Sequence, residues 1–568
     1  MKFSEMKYER PDINVVGRKF NELMVLLRAA QSFEEQDDIM KEIISLMSEY
    51  ESMNVIASIK FSNYTNNKSY SDEQNYFDIN NPFYENCKNE YYKTLSDSEF
   101  RSRFENKYGK QLFRIAGFIS KSISPEIVED LQNENQLISE YIKFKSSAKI
   151  MFDGKERNLQ ELSAFMKDKD REVRKHAHEG SRKFFSDAAW RFDEMFDKLV
   201  NLRNEMALKL GFKNFKELGY ARMRRSDYHE DTVTEFRNNI IKYIVPLSVK
   251  LREKQRIRTG TKKLMTYDLP LLFRSGNPEP KGNPEWILNN SRIMYDKMSL
   301  ALSEFFDFMM KNELMDVHSR LGKAGGGFCD FISKHKSPYI FTNMNGTSDD
   351  LSIFIHETGH AFQRYKSRNF ELLEYIYPTE DACEIHSMSL EFLTYPWMFL
   401  FFKEDTEKYK YLHLNRAIDF MPHVVMIDDF QHWIYENPSA TPVERNSKWR
   451  EKKKIYMPDL DDDDDEQYEK GGGWKKSTLI FKFPFYSIDY CLAQICSFQF
   501  WSKSILNDKG EFEKSLKDYI RLCEAGGSMS FLELVKYANL ESPFEENVIR
   551  KVAEEVETYI DKVDDTSF

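Results

Sequence analysis

The sequence predicts a mainly α-helical protein with one small β-sheet set against a central helix. Three observations carry this. Apolar residues recur at helical spacing near both ends of the chain, only the interval 322–347 turns to glycine and strand-forming residues, and that interval runs straight into another helix.

Taken in order, Phe20, Leu23 and Leu27 form a first apolar stripe, and Ser32 with Glu35 makes a capping box ahead of a second stripe, Ile39, Ile43 and Leu46. The two stripes predict an antiparallel helix pair. Within "GKAGGGFCDFISKHKSPYIFTNMNGT" the runs "FCDFI" and "PYIFTN" have strand character, giving a sheet at about 322–345. No GK[ST] follows the glycines, so this reads as a flexible turn or gating loop rather than a phosphate loop. A helix from Thr379 to Tyr395, stopped by Pro396, follows the central one. Residues 459–473, "DLDDDDDEQYEKGGG", read as an exposed acidic loop, and Ser542, Pro543 and Glu545 open a last helix that buries Val548, Val552, Val556 and Tyr559.

With 568 residues, 41% hydrophobic and 14% aromatic, the chain can bury large cores and calls for several domains. A net charge of -11 with no basic stripe argues against nucleic acid as a partner. The start, "MKFSEMKYERPDINVVG", shows no apolar leader segment, and the longest apolar burst, "YPWMFLFF", is far below the roughly 20 residues of a membrane span. Cys87, Cys329, Cys383, Cys491, Cys496 and Cys523 are scattered without a CxxC pair. Together these predict a cytoplasmic protein with reduced thiols and no membrane partner.

The central helix carries "FIHETGH". Residues four apart share a helix face, so His356 and His360 can offer two imidazoles to one metal while Glu357 projects beside them toward a metal-activated water. The chance expectation of HExxH in a chain of this composition is only about 0.02. A catalytic zinc needs a third protein ligand. In "TEDACEIHSMSLEFLTYP", Glu384, Met388 and Glu391 share one helix face, which makes Glu384 a candidate ligand and Glu391 a candidate outer partner, whereas His386 faces elsewhere. Gly359 inside the motif predicts a second helix crossing closely there.

In "KSPYIFTNMNGTSDDLSIFIHETGHAFQ", "EIHSMSLEFLTYPWM", "QHWIYENPSATP", "PFYSIDYCLAQ" and "CEAGGSMSFLELVKYANLESPF", the sequence resembles the oligoendopeptidase F and Pz-peptidase branch of the thimet-oligopeptidase-like zinc metallopeptidases. The resemblance is dense from about 322 to 545 and weaker toward the N-terminus. It implies one Zn2+ per chain held by His356, His360 and Glu384, with Glu357 as general base. It also implies a helical fold of two lobes around a deep channel, an N-terminal lobe at 1–195 and a catalytic region at 196–568, that admits short peptides. "FCDFI" or "PYIFTN" would pair with the substrate backbone. Tyr486 and Tyr490 fit the positions from which relatives meet the substrate near zinc.

One departure stands out. Where the family carries a histidine that supports the oxyanion, this chain has Leu479, and Ser487 occupies a place often held by tyrosine. Losing one such donor typically costs about 10²- to 10³-fold in turnover. The sequence therefore predicts a zinc-dependent oligoendopeptidase cutting internal bonds of short peptides, slow or selective; the alternative is an impaired relative that binds peptides without efficient chemistry. No dedicated anchor for a chain terminus is legible. "RMRRSD" at 222–227 reads as surface or interlobe salt bridges, and His423 and His432 as structural.

Overall fold

The computed structural model describes residues 1–460, 471–506, 509–565 and 568. It is largely helical with two small sheets. The helix pair forms at Ile13–Ala29 and Phe33–Asn63, with Ser32 accepting from the Glu35 amide at 3.2 Å. The buried stripes sit one residue over from their predicted lines. Phe20, Leu27 and Ile43 are buried, but Met24, Met40 and Met47 complete the face, and Leu23, Ile39 and Leu46 are only half-buried. Unbranched methionine fills the gap between two crossing helices better than the stripe alone suggests.

These helices build a first core with the helices Lys68–Ser96, Arg101–Tyr108 and Gln111–Ser122. Leu372 and Tyr375, just beyond the central helix, enter the same core. Tyr92 donates to Glu374 at 2.5 Å, and Tyr375 donates to the Tyr108 carbonyl at 2.6 Å, so the segment after the central helix is bolted to the N-terminal helices.

A second, larger core runs from Ile127 to Ile560 and also takes in Met6, Ile56 and Ile59. At its centre lie the motif helix Ser348–Ser367, its partner Glu380–Leu393, the long helix Thr406–Glu436 and the helix Ser487–Ile505. The last helix starts at Glu546 and buries Val548, Val552, Val556 and Ile560, with Tyr559 half-buried. Ser542 and Pro543 form the turn before it, the Glu545 amide donating to the Ser542 carbonyl at 3.1 Å.

A hairpin of β1 (Ile150–Phe152) and β2 (Lys155–Arg157) is missing from the sequence reading, as is β3 (Met315–His318). Runs of three or four residues carry too little alternation to stand out. β4 (Phe328–Ile332) and β5 (Ser337–Met344) form where "FCDFI" and "PYIFTN" predict. β5 is the central strand, parallel to β3 and antiparallel to β4, which leaves β4 at an edge.

The glycine-rich loop before β4 is not a free flap. Lys323 turns under it and donates to Asp316 Oδ1 at 2.8 Å and to the Thr342 carbonyl at 2.6 Å, while the Ser62 and Gly322 carbonyls pair with the Ala324 and Thr65 amides, both at 2.7 Å. A buried ammonium needs several acceptors, and it gathers them from the loop's surroundings. Of the acidic loop expected at 459–473, residues 461–470 lie outside the described residues. Its start is anchored by Asp459 on Arg252 at 2.7 Å. No described helix is long and apolar enough to cross a membrane, and all six cysteines are free.

Arg222, Arg224 and Arg225 of "RMRRSD" form salt bridges, as expected, but with buried or half-buried partners rather than on the surface. Arg222 and the fully buried Arg203 share Glu134, at 3.0 and 2.6 Å. Burial alone would raise the Glu134 carboxyl, but the two guanidiniums outweigh it and hold it at about 2 against an ordinary 4.5. A carboxyl lowered on folding stabilises the protein above its unfolded value and loses that contribution as pH falls toward the folded one. Glu134→Gln should therefore lower the unfolding free energy at neutral pH by about 3 kcal/mol. In urea titrations the gap to wild type should close as pH drops from 4.5 toward 2; a gap that ignores pH would refute the assignment.

Candidate active site

The site is built on one helix crossing. The motif helix, Ser348–Ser367, follows a turn in which the Asn345 and Gly346 amides donate to the buried Asp350 carboxylate at 2.6 and 2.5 Å. At Gly359 the partner helix comes so close that a Cβ would lie 2.6 Å from Ser387 Cα and 2.7 Å from the His386 carbonyl oxygen. Only glycine allows two backbones to meet there.

That approach sets three side chains on one point. His356 Nε2 and His360 Nε2 lie 3.2 and 3.3 Å from the same oxygen, Glu384 Oε2. Their ligand atoms all fall within 4.8 Å of one another, and this is the one such group of three among the described residues. Two imidazole nitrogens and a carboxylate oxygen are the donor set of a catalytic zinc site. Burial would raise the Glu384 carboxyl, but the imidazoles hold it well below the usual range. Glu384 is fixed further by Ser387, whose hydroxyl donates to Oε2 at 2.9 Å.

Behind His356 runs a second row. Its Nδ1 lies 2.8 Å from Glu391 Oε1; the other oxygen, Oε2, is 2.6 Å from His413 Nε2; and His413 Nδ1 is 2.8 Å from the Tyr395 hydroxyl. With a carboxylate facing Nδ1, one proton of His356 is held there, which leaves Nε2 as the nitrogen turned toward Glu384 and free to serve as a ligand atom. Burial opposes ionisation of Glu391, yet its two imidazole partners bring its carboxyl down to about 2. His413, on the long helix, has no spacing relation to the motif, so no local sequence signal could have found it. His386 is fully buried and turned to the Ala382 and Cys383 carbonyls, away from the triad, as its helix position predicts.

Glu357 is 7% exposed and its carboxyl is raised, chiefly by burial. It stands against the mouth of the glycine loop: a Cβ on Gly327 would come within 3.2 Å of Glu357 Oε1. The glycine leaves room for that oxygen beside β4.

The segment 483–490 brings two phenols to the triad. Tyr486 donates to Glu384 Oε1 at 2.5 Å, and Tyr490 packs on Tyr486 with ring centroids 5.0 Å apart. Burial, together with the carboxylate of Glu384, pushes both phenols far above their ordinary range, so they stay protonated donors. Phe485, just before them, has φ +68°, a left-handed backbone that bulky residues rarely adopt. Arg225 holds it there by donating to the Phe485 carbonyl at 2.6 Å and to Asp489 at 2.7 Å, while Gln431 accepts from its amide at 3.1 Å. The adjacent Arg224, itself at φ +53°, grips Glu380 at the start of the partner helix at 2.7 Å. Leu479 lies half-buried on the short helix Thr478–Lys482, and Ser487 is buried at the start of the following helix. Neither is hydrogen-bonded to the triad, Leu479 for want of a polar group and Ser487 because its hydroxyl has no partner among the described residues. His423 and His432 are structural, against Trp449 and between Tyr220 and Arg237.

A model of the peptidase M3 N-terminal domain matches residues 3–123, and a model of peptidase family M3 matches residues 298–554. The solved structure of Pz peptidase A with inhibitor 2 is 48% identical, with a TM-score of 0.96 over 100% of both chains. A structure provisionally assigned as an oligoendopeptidase F from Bacillus anthracis str. Ames is 43% identical, with a TM-score of 0.92 over 100% of this chain and 99% of its own. Oligopeptidase PepF of Bacillus subtilis (strain 168) is 22% identical over 401 residues, which are 66% of this chain and 55% of that relative's length.

Gly359→Ala should destabilise the protein by about 3 kcal/mol, because the atoms it strikes are backbone. Gly117→Ala, whose Cβ meets nothing within 4 Å, should be neutral or mildly stabilising. Denaturant midpoints that shift alike for the two variants would rule out the close crossing.

Proposed function

This chain belongs to peptidase family M3, and from that premise we propose that it is a zinc-dependent oligoendopeptidase that hydrolyses internal bonds of short peptides. The single observation that carries the proposal is the convergence of His356, His360 and Glu384 with Glu357 and Tyr486 against them. The residues 1–195 and 196–568 are proposed to flank a cleft that ends at this point and takes peptides in extended form.

The three residues fit zinc by donor type and by their mutual spacing. Zinc bound there supplies Lewis-acid polarisation of the scissile carbonyl and a water acidified enough to attack it. The other steps fall to the chain. Glu357, raised by burial and standing next to the histidines, takes the proton of the attacking water and returns it to the leaving amine. Tyr486 and Tyr490 present protonated phenols to the oxygen on which charge develops. Glu391 and His413 fix the tautomer and ring orientation of His356. β4, with one edge free, lines up the peptide backbone.

Leu479 supports a second reading, a peptide-binding relative with impaired chemistry, because a hydrocarbon stands where a donor is expected. One experiment separates them. Purified protein is offered internally quenched peptides before chelation, after chelation and after zinc restoration, with Glu357→Gln in parallel. The peptidase reading expects internal cleavage that follows the metal and falls at least about 10³-fold in the variant. Peptide binding with bound zinc but no cleavage above the variant would favour the second reading. His413→Ala should weaken zinc about 10- to 100-fold in a chelator competition, without touching a ligand directly; unchanged zinc affinity would show that the outer row does not orient His356.

A further inference from the structure

Arg364 lies eight residues after His356 and four after His360, so the stripe of the motif helix that carries the two histidines continues into a guanidinium. The guanidinium reaches the edge of the sheet, where one nitrogen donates to the Cys329 carbonyl on β4. Tyr377 covers it, ring centroid 4.7 Å from the guanidinium carbon. Tyr377 is held in turn edge-on to Phe331, two residues along the same strand, at 6.2 Å. The cation is thus fixed between strand and ring.

The carbonyl it holds is one that an added strand would use. The Ile340 amide donates to Leu314 on the β3 side, so Ile340 and its partner Cys329 form a pair without mutual hydrogen bonds. The Cys329 amide and carbonyl therefore turn outward, away from β5. Phe331 does the same opposite Pro338, which has no amide proton to give. A peptide strand laid on this edge would normally bring an N–H to the Cys329 carbonyl. Arg364 already supplies that donor, and a guanidinium carries further N–H groups besides the one it spends there. The complement of a fixed cationic donor is an anionic acceptor.

The charge balance agrees. Buried arginines elsewhere meet carboxylates: Arg203 meets Glu134, Arg225 meets Asp489 and Arg237 meets Asp428. Among the described residues no carboxylate forms a direct ion pair with Arg364, which is half-buried; the Asp330 and Glu357 carboxylates act on it only from a longer range. Buried guanidiniums are rarely left without a counter-ion.

We propose that Arg364 is an anion-recognition subsite of the peptide cleft, taking a carboxylate of the bound peptide. The carboxylate is the C-terminal one or that of an aspartate or glutamate side chain. Gly327, beside Glu357, precedes Cys329 by two residues, so at about 3.3 Å per residue the carboxylate lies about two residues from the bond being cut. The inference rests on the peptidase reading for its substrate class.

The test reads binding, so that turnover does not enter. Zinc-loaded Glu357→Gln protein is titrated with a fluorescent peptide as free acid and as amide, and with internal peptides scanned with aspartate against asparagine. The expected result is a preference for the charged form of about 10- to 100-fold in one arm, and that arm names the source of the carboxylate. Adding Arg364→Met should erase the preference while neutral peptides bind as before, and Arg364→Lys should keep part of it. Equal binding of charged and neutral peptides in both arms by the parent protein would overturn the proposal without needing any Arg364 variant. So would an Arg364→Met variant that weakens all peptides alike, which would make Arg364 only a prop for the Cys329 carbonyl. Cleavage of the neutral peptides by the unsubstituted enzyme decides the peptidase reading separately.

Discussion

The contact on which the rest depends is the meeting of two helix backbones at Gly359. Because the partner helix lies against the motif helix with no side chain between them, Glu384 reaches the same point as His356 and His360 without a long, mobile tether. The neighbouring elements are then packed around a crossing that has no slack: β4 and its glycine loop on the side of Glu357, the long helix with His413 behind His356, and the 483–490 segment over Glu384. Close-packed interiors transmit displacement rather than absorb it, so a shift of a few tenths of an ångström at residue 359 reaches every group of the site.

Charges near the site are shared instead of being matched one to one. Glu384 serves two imidazoles with one oxygen and a phenol with the other; Glu391 divides its oxygens between His356 and His413. Sharing fixes orientation, since neither carboxylate can rotate without losing a partner. It also keeps both carboxylates ionised despite burial that would otherwise protonate them. Arg364 is the exception, a cation that directly meets a carbonyl and an aromatic ring, with its nearest acids only at longer range.

What could be read from the sequence follows the range of the interactions. His356, Glu357 and His360 are tied by helix periodicity, and Glu384 with Glu391 by the same rule one helix later, so these five positions were legible and the structure brings them together. β4 and β5 were legible from composition. The Gly359 crossing was legible because glycine in a helix interior asks for a reason. His413 was not, because its partner is 22 residues away on another helix and histidine has many uses. The arginines of "RMRRSD" were legible as salt-bridging, but their partners were not, since these lie far along the chain. The helix pair shows the opposite limit: its stripes were legible, yet part of the buried line lies one residue over, on methionines.

The neighbouring arginines 224 and 225 have a consequence for how this protein can change over generations. One guanidinium holds the start of the helix that carries Glu384; the next holds the Phe485 carbonyl and Asp489 around Tyr486. The two sides of the site are thereby hung from adjacent residues of a single turn. A replacement at Arg225 has no simple compensating replacement at Asp489, because the backbone carbonyl it also serves cannot mutate. Positions 224, 225, 380, 485 and 489 are thus bound by strong epistasis, free to drift as a block and nearly frozen one at a time, although none of them contributes an atom to the His356, His360 and Glu384 triad.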